Sequence, residues 1–387
     1  MNIVLSPVAY FPQTGGVPTS VRRLARGLQE RGHRVVVVTP WLESTQSDRD
    51  RIDGVDVHRL PFAFPFRMLW QTPREGLGSL CRYGLRDLRR LLRILADERA
   101  EVVDVQSLTG PNLPYLLLAS RFRGCRFVGS LHGNEFAGMT RRADRMRRLL
   151  LRSALRTSAC VTAVSHRVAA EATRFCPEVA GRIVRIPTAV RVDEYQRAVP
   201  FVSRAPYILT LARLNGLKGH DVLLSAFQQV VESDPEIRLV IAGSGSQRAR
   251  LHAVTLALGL ANRVTFLGEV DRGRVPALLA GCRFLVLASW SEGIPNVILE
   301  AMAAGKAVVA TAVGGTPEVV ADPERGRLVP PGDPTQLAQA MLDLLRDPAR
   351  CSAMGEAGRA YVRRDHDVDR VVDQYEAVYR AAVEQRT

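Results

Sequence analysis

The chain has 387 residues, 47% hydrophobic and 24% charged, the balance of a water-soluble globular protein with more than one core rather than of a disordered or fibrous one. Its formal net charge is +14, and the whole excess lies in one half: residues 1–199 hold 32 Lys and Arg against 18 Asp and Glu, while residues 200–387 hold 21 of each. No apolar run approaches the ~18 residues of a membrane-spanning helix, and the six cysteines have no CxxC spacing, which speaks against a zinc ribbon or a redox pair.

Strand and helix patterns alternate from the start. Ile3 to Leu5 reads as a short strand. Gly15-Gly16 follow, and Val17 to Arg31 reads as a helix with Pro18 in its first turn and Val21, Leu24 and Leu28 on one face. With no basic stretch ahead of an apolar one, the beginning does not read as a signal peptide, and the cytoplasm is the expected location. Gly32-His33 closes the helix, and Val35 to Thr39 is the next buried strand. Asp48-Arg49-Asp50 lies in a polar loop. Its DxD spacing, like that of Asp367-Val368-Asp369, reads as loop and helix-start acids rather than as metal ligands. Further strands are expected at Val55 to Arg59, Val102 to Gln106, Phe127 to Leu131, Cys160 to Val164 and Ile183 to Ile186.

Two helical stretches of this half are rich in arginine. Arg82, Arg86, Arg89, Arg90 and Arg93 alternate with leucines. Arg141, Arg145, Arg148, Arg152 and Arg156 share one face, with Met146, Leu150 and Ala154 on another. Such helices suit an anionic membrane surface or an anionic acceptor; the plain alternative is a solvated face. No stacking aromatics interleave with the arginines, so nucleic acid is not the expected partner. Between the two stretches, His132-Gly133-Asn134-Glu135 follows a buried strand directly. A histidine there can bond a sugar hydroxyl or fill a structural turn, and the residues alone leave both open.

The polar stretch Val192 to Pro206 reads as a linker. A second strand–helix series follows, with strands at Tyr207 to Leu211, Leu239 to Ala242, Val264 to Leu267, Phe284 to Leu287 and Ala307 to Ala310, and an edge piece at Leu328-Val329. Alternation of this kind implies mostly parallel sheets, whose ligands sit beyond the carboxyl ends of the strands. After the first of these strands come Arg213 and Lys218, two cations five apart on a glycine-containing loop, able to converge on a diphosphate. Lys218 is one of only two lysines in the chain. Gly243-Ser244-Gly245 is an incomplete dinucleotide fingerprint and reads as a close backbone approach. Ser289 to Met302 carries Glu292 in a loop, Gly293-Ile294-Pro295-Asn296 at a helix start able to hold an anion, and Glu300 two turns in, where spacing alone suggests an ordinary helix-surface glutamate. Gly314-Gly315-Thr316-Pro317-Glu318 is a further glycine turn into a helix.

Taken together these residues resemble a family-4 glycosyltransferase of the GT-B fold over nearly the full length. The resemblance is carried by Ser291 to Asn296, Glu300 to Gly305, Gly314 to Glu318 and Leu328 to Asp333, with Gly15-Gly16-Val17, Arg31-Gly32-His33 and His132 in the first half. It implies an α/β protein of two Rossmann-like domains with parallel sheets facing a cleft: residues 1–192 on the acceptor side, joined by a C-terminal helix within 366–387 (about Val371 to Val383), and residues 207–365 binding the nucleotide sugar. It implies a retaining, metal-independent transfer of a hexose-type sugar from a UDP- or GDP-sugar to a lipid-linked or glycan acceptor. The nucleotide sugar serves as co-substrate and no cofactor is expected. Arg213 and Lys218 match the diphosphate-binding pair, Glu292 and Glu300 the E-x7-E motif for donor sugar and ribose, and His132 a donor-sugar contact. Gly15 and Gly16 match the loop by the donor phosphate. Gly243, Gly268, Val270, Gly293, Ile294, Pro295 and Asn296 complete the expected donor pocket, Gly268 to Val270 at the base. Thr188-Ala189-Val190 departs from the family's usual Asn-Gly pair. A peripheral place at the inner face of the cell membrane goes with a lipid-linked acceptor. A phosphorylase or epimerase on the same fold would share these pockets. An NAD enzyme would need a complete fingerprint, and a non-catalytic binder of anionic surfaces would not need the two cations and two glutamates together.

Overall fold

The computed structural model describes residues 1–13, 15–41, 47–62, 84–133, 135–136, 144–320 and 323–385. The chain forms two compact units, Met1–Ala189 together with Val368–Thr387, and Val190–Asp367.

The first unit is built on an eight-stranded sheet of order β3-β4-β2-β1-β5-β6-β7-β8. Its strands are β1 (Asn2–Pro7), β2 (Arg34–Pro40), β3 (Arg49–Ile52), β4 (Val55–Leu60), β5 (Val102–Gln106), β6 (Arg126–Leu131), β7 (Cys160–Ala163) and β8 (Ile183–Arg185). All neighbours run parallel except β3 on β4. The central strands are covered on both faces, which is why Val35 to Val38 read as an unbroken apolar run and are fully buried. Helix α1 (Gly16–Glu30) lays Val21, Leu24, Ala25 and Leu28 into that core. α2 (Leu85–Asp97), α3 (Leu113–Arg123), α4 (Arg145–Thr157) and α5 (His166–Phe175) follow, with α3 packed between α2 and α4.

Sequence patterning missed β3, which was expected to lie in a polar loop. Its residues Arg-Asp-Arg-Ile are exposed or half-buried, and an Asp53-Gly54 turn with positive φ at both positions folds it back antiparallel on β4. The DxD acids are used there: Asp50 pairs with the buried Arg59 and Asp48 with Arg90. Cys125, Cys160, Cys176, Cys282 and Cys351 are free thiols; Cys81 and Arg82 lie outside the described residues.

The second unit has a six-stranded parallel sheet of order β11-β10-β9-β12-β13-β14. Its strands are β9 (Tyr207–Leu211), β10 (Arg238–Ala242), β11 (Val264–Gly268), β12 (Leu285–Leu287), β13 (Val308–Thr311) and β14 (Arg327–Val329). Side chains alternate between two cores: Ile208, Val286 and Val309 enter one, and Leu209, Leu285 and Val308 the other. The stretch expected to be a linker begins inside this unit. Val192 and Tyr195, on the short helix α6 (Val192–Gln196), are buried in the second of those cores. α7 (His220–Ser233), α8 (Arg248–Ala257), α9 (Val275–Gly281), α10 (Asn296–Ala303), α11 (Thr316–Val320), α12 (Pro334–Arg346) and α13 (Pro348–Asp365) complete the unit.

The last helix, α14 (Val368–Glu384), returns to the first unit and starts three residues earlier than its apolar spacing suggested. Val371, Val372, Tyr375 and Tyr379 are buried with α1. Gly27 allows the close approach, since a Cβ there would stand 2.6 Å from Val372 Cγ2. Arg31 meets Asp373 and Glu376, and His33 meets Glu376. The Arg-Gly-His that ends the first helix therefore anchors the last one.

Candidate functional site

At the carboxyl ends of the second unit's strands, three loops are stitched together through their backbones. Gly219 ends the loop after β9 with φ 59°, and a Cβ there would lie 2.0 Å from the Ala288 carbonyl oxygen. Gly314, after β13, has φ 59° and would place a Cβ 1.8 Å from the Glu292 carbonyl oxygen. Only glycine suits both the left-handed backbone and the absent space. The Trp290 N–H donates to Leu217 at 2.8 Å and the Gly315 N–H to Gly293 at 2.8 Å. The loop after β12, which carries Glu292, is thereby clamped from two sides.

That clamping brings Lys218 and Glu292 together across 74 positions of sequence. Lys218 Nζ donates to Glu292 Oε1 at 2.5 Å, and Ser289 Oγ donates to the same oxygen at 2.6 Å. The two side chains are mostly buried, with 20% and 9% of their surface exposed. Ser289 was not singled out in the sequence; its position on the last buried turn of β12's exit was the available signal. Arg213 is exposed on the β9 loop. His220 opens α7 directly behind Lys218 and is buried, and among the described residues neither ring nitrogen has a hydrogen-bond partner. Burial, reinforced by the Lys218 charge, pushes its pKa down to about 4.

Gly293 and Ile294 are half-buried and Pro295 is buried, leading into α10 at Asn296. α10 is buried along most of its length, and Glu300 is not a helix-surface residue: it is 1% exposed and accepts a bond from Arg272 Nη1 at 3.1 Å. Arg272 stands in the turn after β11, beyond the buried Gly268 and the half-buried Val270. Gly243, on the β10 exit, donates its N–H to the Gly268 carbonyl at 2.7 Å, and a Cβ on it would meet the Ala212 carbonyl at 2.0 Å. The incomplete fingerprint is thus a close approach of two loop backbones.

In the first unit Gly15 caps the start of α1 without a side-chain bond, and Gly16 is the first helical residue. His132 follows β6. The His132 and Gly133 N–H groups donate to the buried Glu135 carboxylate at 3.0 and 2.7 Å. The ring Nε2 lies 2.8 Å from Gln106 Oε1, and Gln106 Nε2 donates to Asp104 at 2.7 Å. Ser130 and Tyr379 also donate to Asp104, at 2.7 and 2.5 Å. Burial pushes the Asp104 pKa up to about 6 against those three bonds, and burial lowers that of His132 against the opposing pull of Glu135. Asn134 lies outside the described residues.

Of the basic helix, Arg145, Arg148, Arg152 and Arg156 are exposed on α4, and Arg141 lies outside the described residues. Part of this face serves the protein itself: Arg156 pairs with Glu178, Arg152 donates to the Phe175 carbonyl at 3.1 Å, and the Arg148 and Arg152 guanidiniums lie over the Phe175 ring. The buried side of α4 is Leu151, Ala154 and Leu155; of the expected Met146, Leu150 and Ala154, Ala154 is buried, Leu150 half-buried and Met146 exposed. Met146 and Leu149 are instead exposed, as are Leu118 and Phe122 on the neighbouring α3. Among the described residues no group of three His, Cys, Asp or Glu is placed to hold a metal ion, and no helix is long and apolar enough to cross a membrane.

Residues 14–194 match the profile described as Glycosyltransferase Family 4, and residues 192–361 that described as Glycosyl transferases group 1. The GDP-mannose-dependent alpha-(1-6)-phosphatidylinositol monomannoside mannosyltransferase of Mycolicibacterium smegmatis is 31% identical over 90% of either chain. The N-acetyl-alpha-D-glucosaminyl L-malate synthase of Bacillus anthracis is 26% identical over 96% of this chain and 95% of its own. Among solved structures, Anabaena Alr3699/HepE in complex with UDP superimposes with a TM-score of 0.76 at 19% identity, over 97% of this chain and 99% of the other. Sucrose-phosphate synthase from Thermosynechococcus elongatus gives 0.77 at 22% identity over 98% of both. These two likenesses concern the fold.

Proposed function

Because the chain belongs to glycosyltransferase family 4 and has its GT-B fold, we propose that it transfers a hexose-type sugar from a UDP- or GDP-sugar to a lipid-linked or glycan acceptor, with retention of anomeric configuration and without a metal ion. The observation that carries this reading is the contact between Lys218 and Glu292, held on glycine-clamped loops, with Glu300 buried on the helix that follows. In the reaction the anomeric C–O bond breaks and negative charge grows on the departing diphosphate. Lys218 and Arg213 supply fixed positive charge there, the task a metal ion performs in other transferases. Glu292, steadied by Ser289, accepts bonds from donor-sugar hydroxyls, and Glu300 from the ribose. Gly243, Gly268, Val270 and the 293–296 turn line the nucleotide. Gly15, Gly16 and His132 contribute donor contacts from the first unit. The acceptor attacks the face from which the diphosphate leaves, and the leaving phosphate takes its proton. The GDP-mannose and the phosphatidylinositol monomannoside in the name of the Mycolicibacterium smegmatis relative support the class of donor and a lipid-linked acceptor. The exposed arginines of α4 and the apolar side chains beside them support peripheral contact with an anionic membrane surface on the cytoplasmic side.

A thermal-shift series against UDP-, GDP- and ADP-sugars tests the reading, since stabilisation grows with ligand concentration over its dissociation constant. One nucleotide should stand out, and Lys218→Ala should lower turnover of that donor by about 10²- to 10³-fold. Absence of stabilisation by every nucleotide sugar would defeat it.

A further inference from the structure

Behind His132 lies a chain of buried polar groups whose donors and acceptors can be arranged in only one way. Asp104 and Gln106 sit two apart on β5 and so share a face; both are at most 1% exposed. An ionised carboxylate has no proton to give, so each of its three neighbours must donate. The Ser130 and Tyr379 hydroxyls do so, and Gln106 can do so only through its NH2. That fixes the direction of the Gln106 amide and turns its carbonyl oxygen towards His132 Nε2. A carbonyl oxygen can only accept. The imidazole must therefore carry its proton on Nε2, and Nδ1 is left with a lone pair. Among the described residues Nδ1 has no partner. The main chain beneath the ring is pinned at the same time by Glu135.

We propose that Asp104 and Gln106 are positioning residues that hold His132 in the Nε2–H form and present Nδ1 as a hydrogen-bond acceptor. This rests on the reading of His132 as a donor-sugar contact and makes it more specific. The group that meets the ring must bring a proton of its own, as a sugar hydroxyl does and an ionised phosphate oxygen does not. His132 thus recognises the hexose rather than the diphosphate. Tyr379 ties α14 into the same arrangement, because its hydroxyl is one of the three donors that keep Asp104 an acceptor.

The proton's position can be read by nitrogen NMR on protein labelled at histidine, with the His132 signals identified by their loss in His132→Gln. At pH 7.5 the wild type should show a protonated, pyrrole-type Nε2 and a pyridine-type Nδ1. Asp104→Asn lets the Gln106 amide turn over and should move the proton largely to Nδ1. Gln106→Leu, which removes the acceptor and leaves the carboxylate, should give a mixture; it also serves if Asp104→Asn does not fold. Gln106→Glu, which keeps an acceptor facing the ring and shares one proton with Asp104 in place of the amide N–H, should retain the Nε2–H form. A purely structural role would change melting temperature without moving the tautomer. An Nδ1–H signal in the wild type, or an unchanged tautomer in both folded Asp104→Asn and Gln106→Leu, would overturn the proposal. The spectra need no nucleotide sugar. A fully active His132→Ala enzyme, which would remove the donor-sugar reading, is therefore a separate result.

Discussion

Lys218 contacts Glu292 across the loops, and His220 stands two residues beyond Lys218, yet they put opposite demands on the fold. The lysine and glutamate neutralise each other, whereas His220 is buried and, among the described residues, finds no partner for either ring nitrogen. Its folded pKa, about 4, lies below the ordinary histidine value of about 6.5. Between those values the unfolded chain binds the proton and the folded chain does not, so stability falls as pH drops through that window. His220→Leu should therefore stabilise the protein at pH 5 by about 2 kcal/mol more than at pH 7.5, measured by urea unfolding. An equal effect at both pH values would show that the ring is solvated. The sequence revealed that Arg213, Lys218 and Glu292 lie in loops after strands, because Lys218 and Glu292 stand beside glycines and Arg213 directly follows a strand exit. It did not reveal the burial of Glu300, which spacing put on the helix surface and only the family resemblance marked for the site. Nor did it reveal the chain behind His132, although Asp104 and Gln106 at alternate positions of a buried strand were a readable sign of a satisfied polar face.

At the scale of elements, buried parallel strands were legible almost to the residue. Tyr207–Leu211 lies where its apolar run places it, since a strand covered on both faces needs no polar alternation, and Val102–Gln106 lies where it was expected although Asp104 and Gln106 interrupt its valines. The edge strand β3 was not legible, since its partner is a single strand and its composition resembles a loop. The arginine helix α4 was read as a helix with its apolar side misplaced. The outcome matters for function: Met146 and Leu149 emerge among arginines on α4, and Leu118 and Phe122 are exposed on α3, the helix that α4 packs against. Among the described residues neither Arg121 nor Arg145 meets a carboxylate. If this face rests on anionic lipid, Arg121→Glu with Arg145→Glu should weaken co-sedimentation with phosphatidylglycerol vesicles by about tenfold or more, since each nearby basic residue contributes about 1 kcal/mol. Phe122→Ser with Leu149→Ser should weaken it too, with the melting temperature unchanged. Equal binding of all variants would leave the arginines as a solvated surface.

At the scale of the whole molecule, the second unit is an insertion between Ala189 and Val368. Removing residues 368–387 should therefore spare the unit furthest along the chain and damage the first one. The cut uncovers the α1 face that holds Val372 and takes the Tyr379 donor away from buried Asp104. Limited proteolysis of that truncated chain should leave a resistant fragment close to 190–367 while residues 1–189 are digested; the reverse pattern would refute the division. The same arrangement governs birth on the ribosome. Domains ordinarily fold as they emerge, N-terminal first, but here the opening segment must wait, without its closing helix, while the entire second unit is translated. At usual elongation rates that wait lasts roughly 10–40 s, a period in which an unsealed valine-rich flank is open to chaperones.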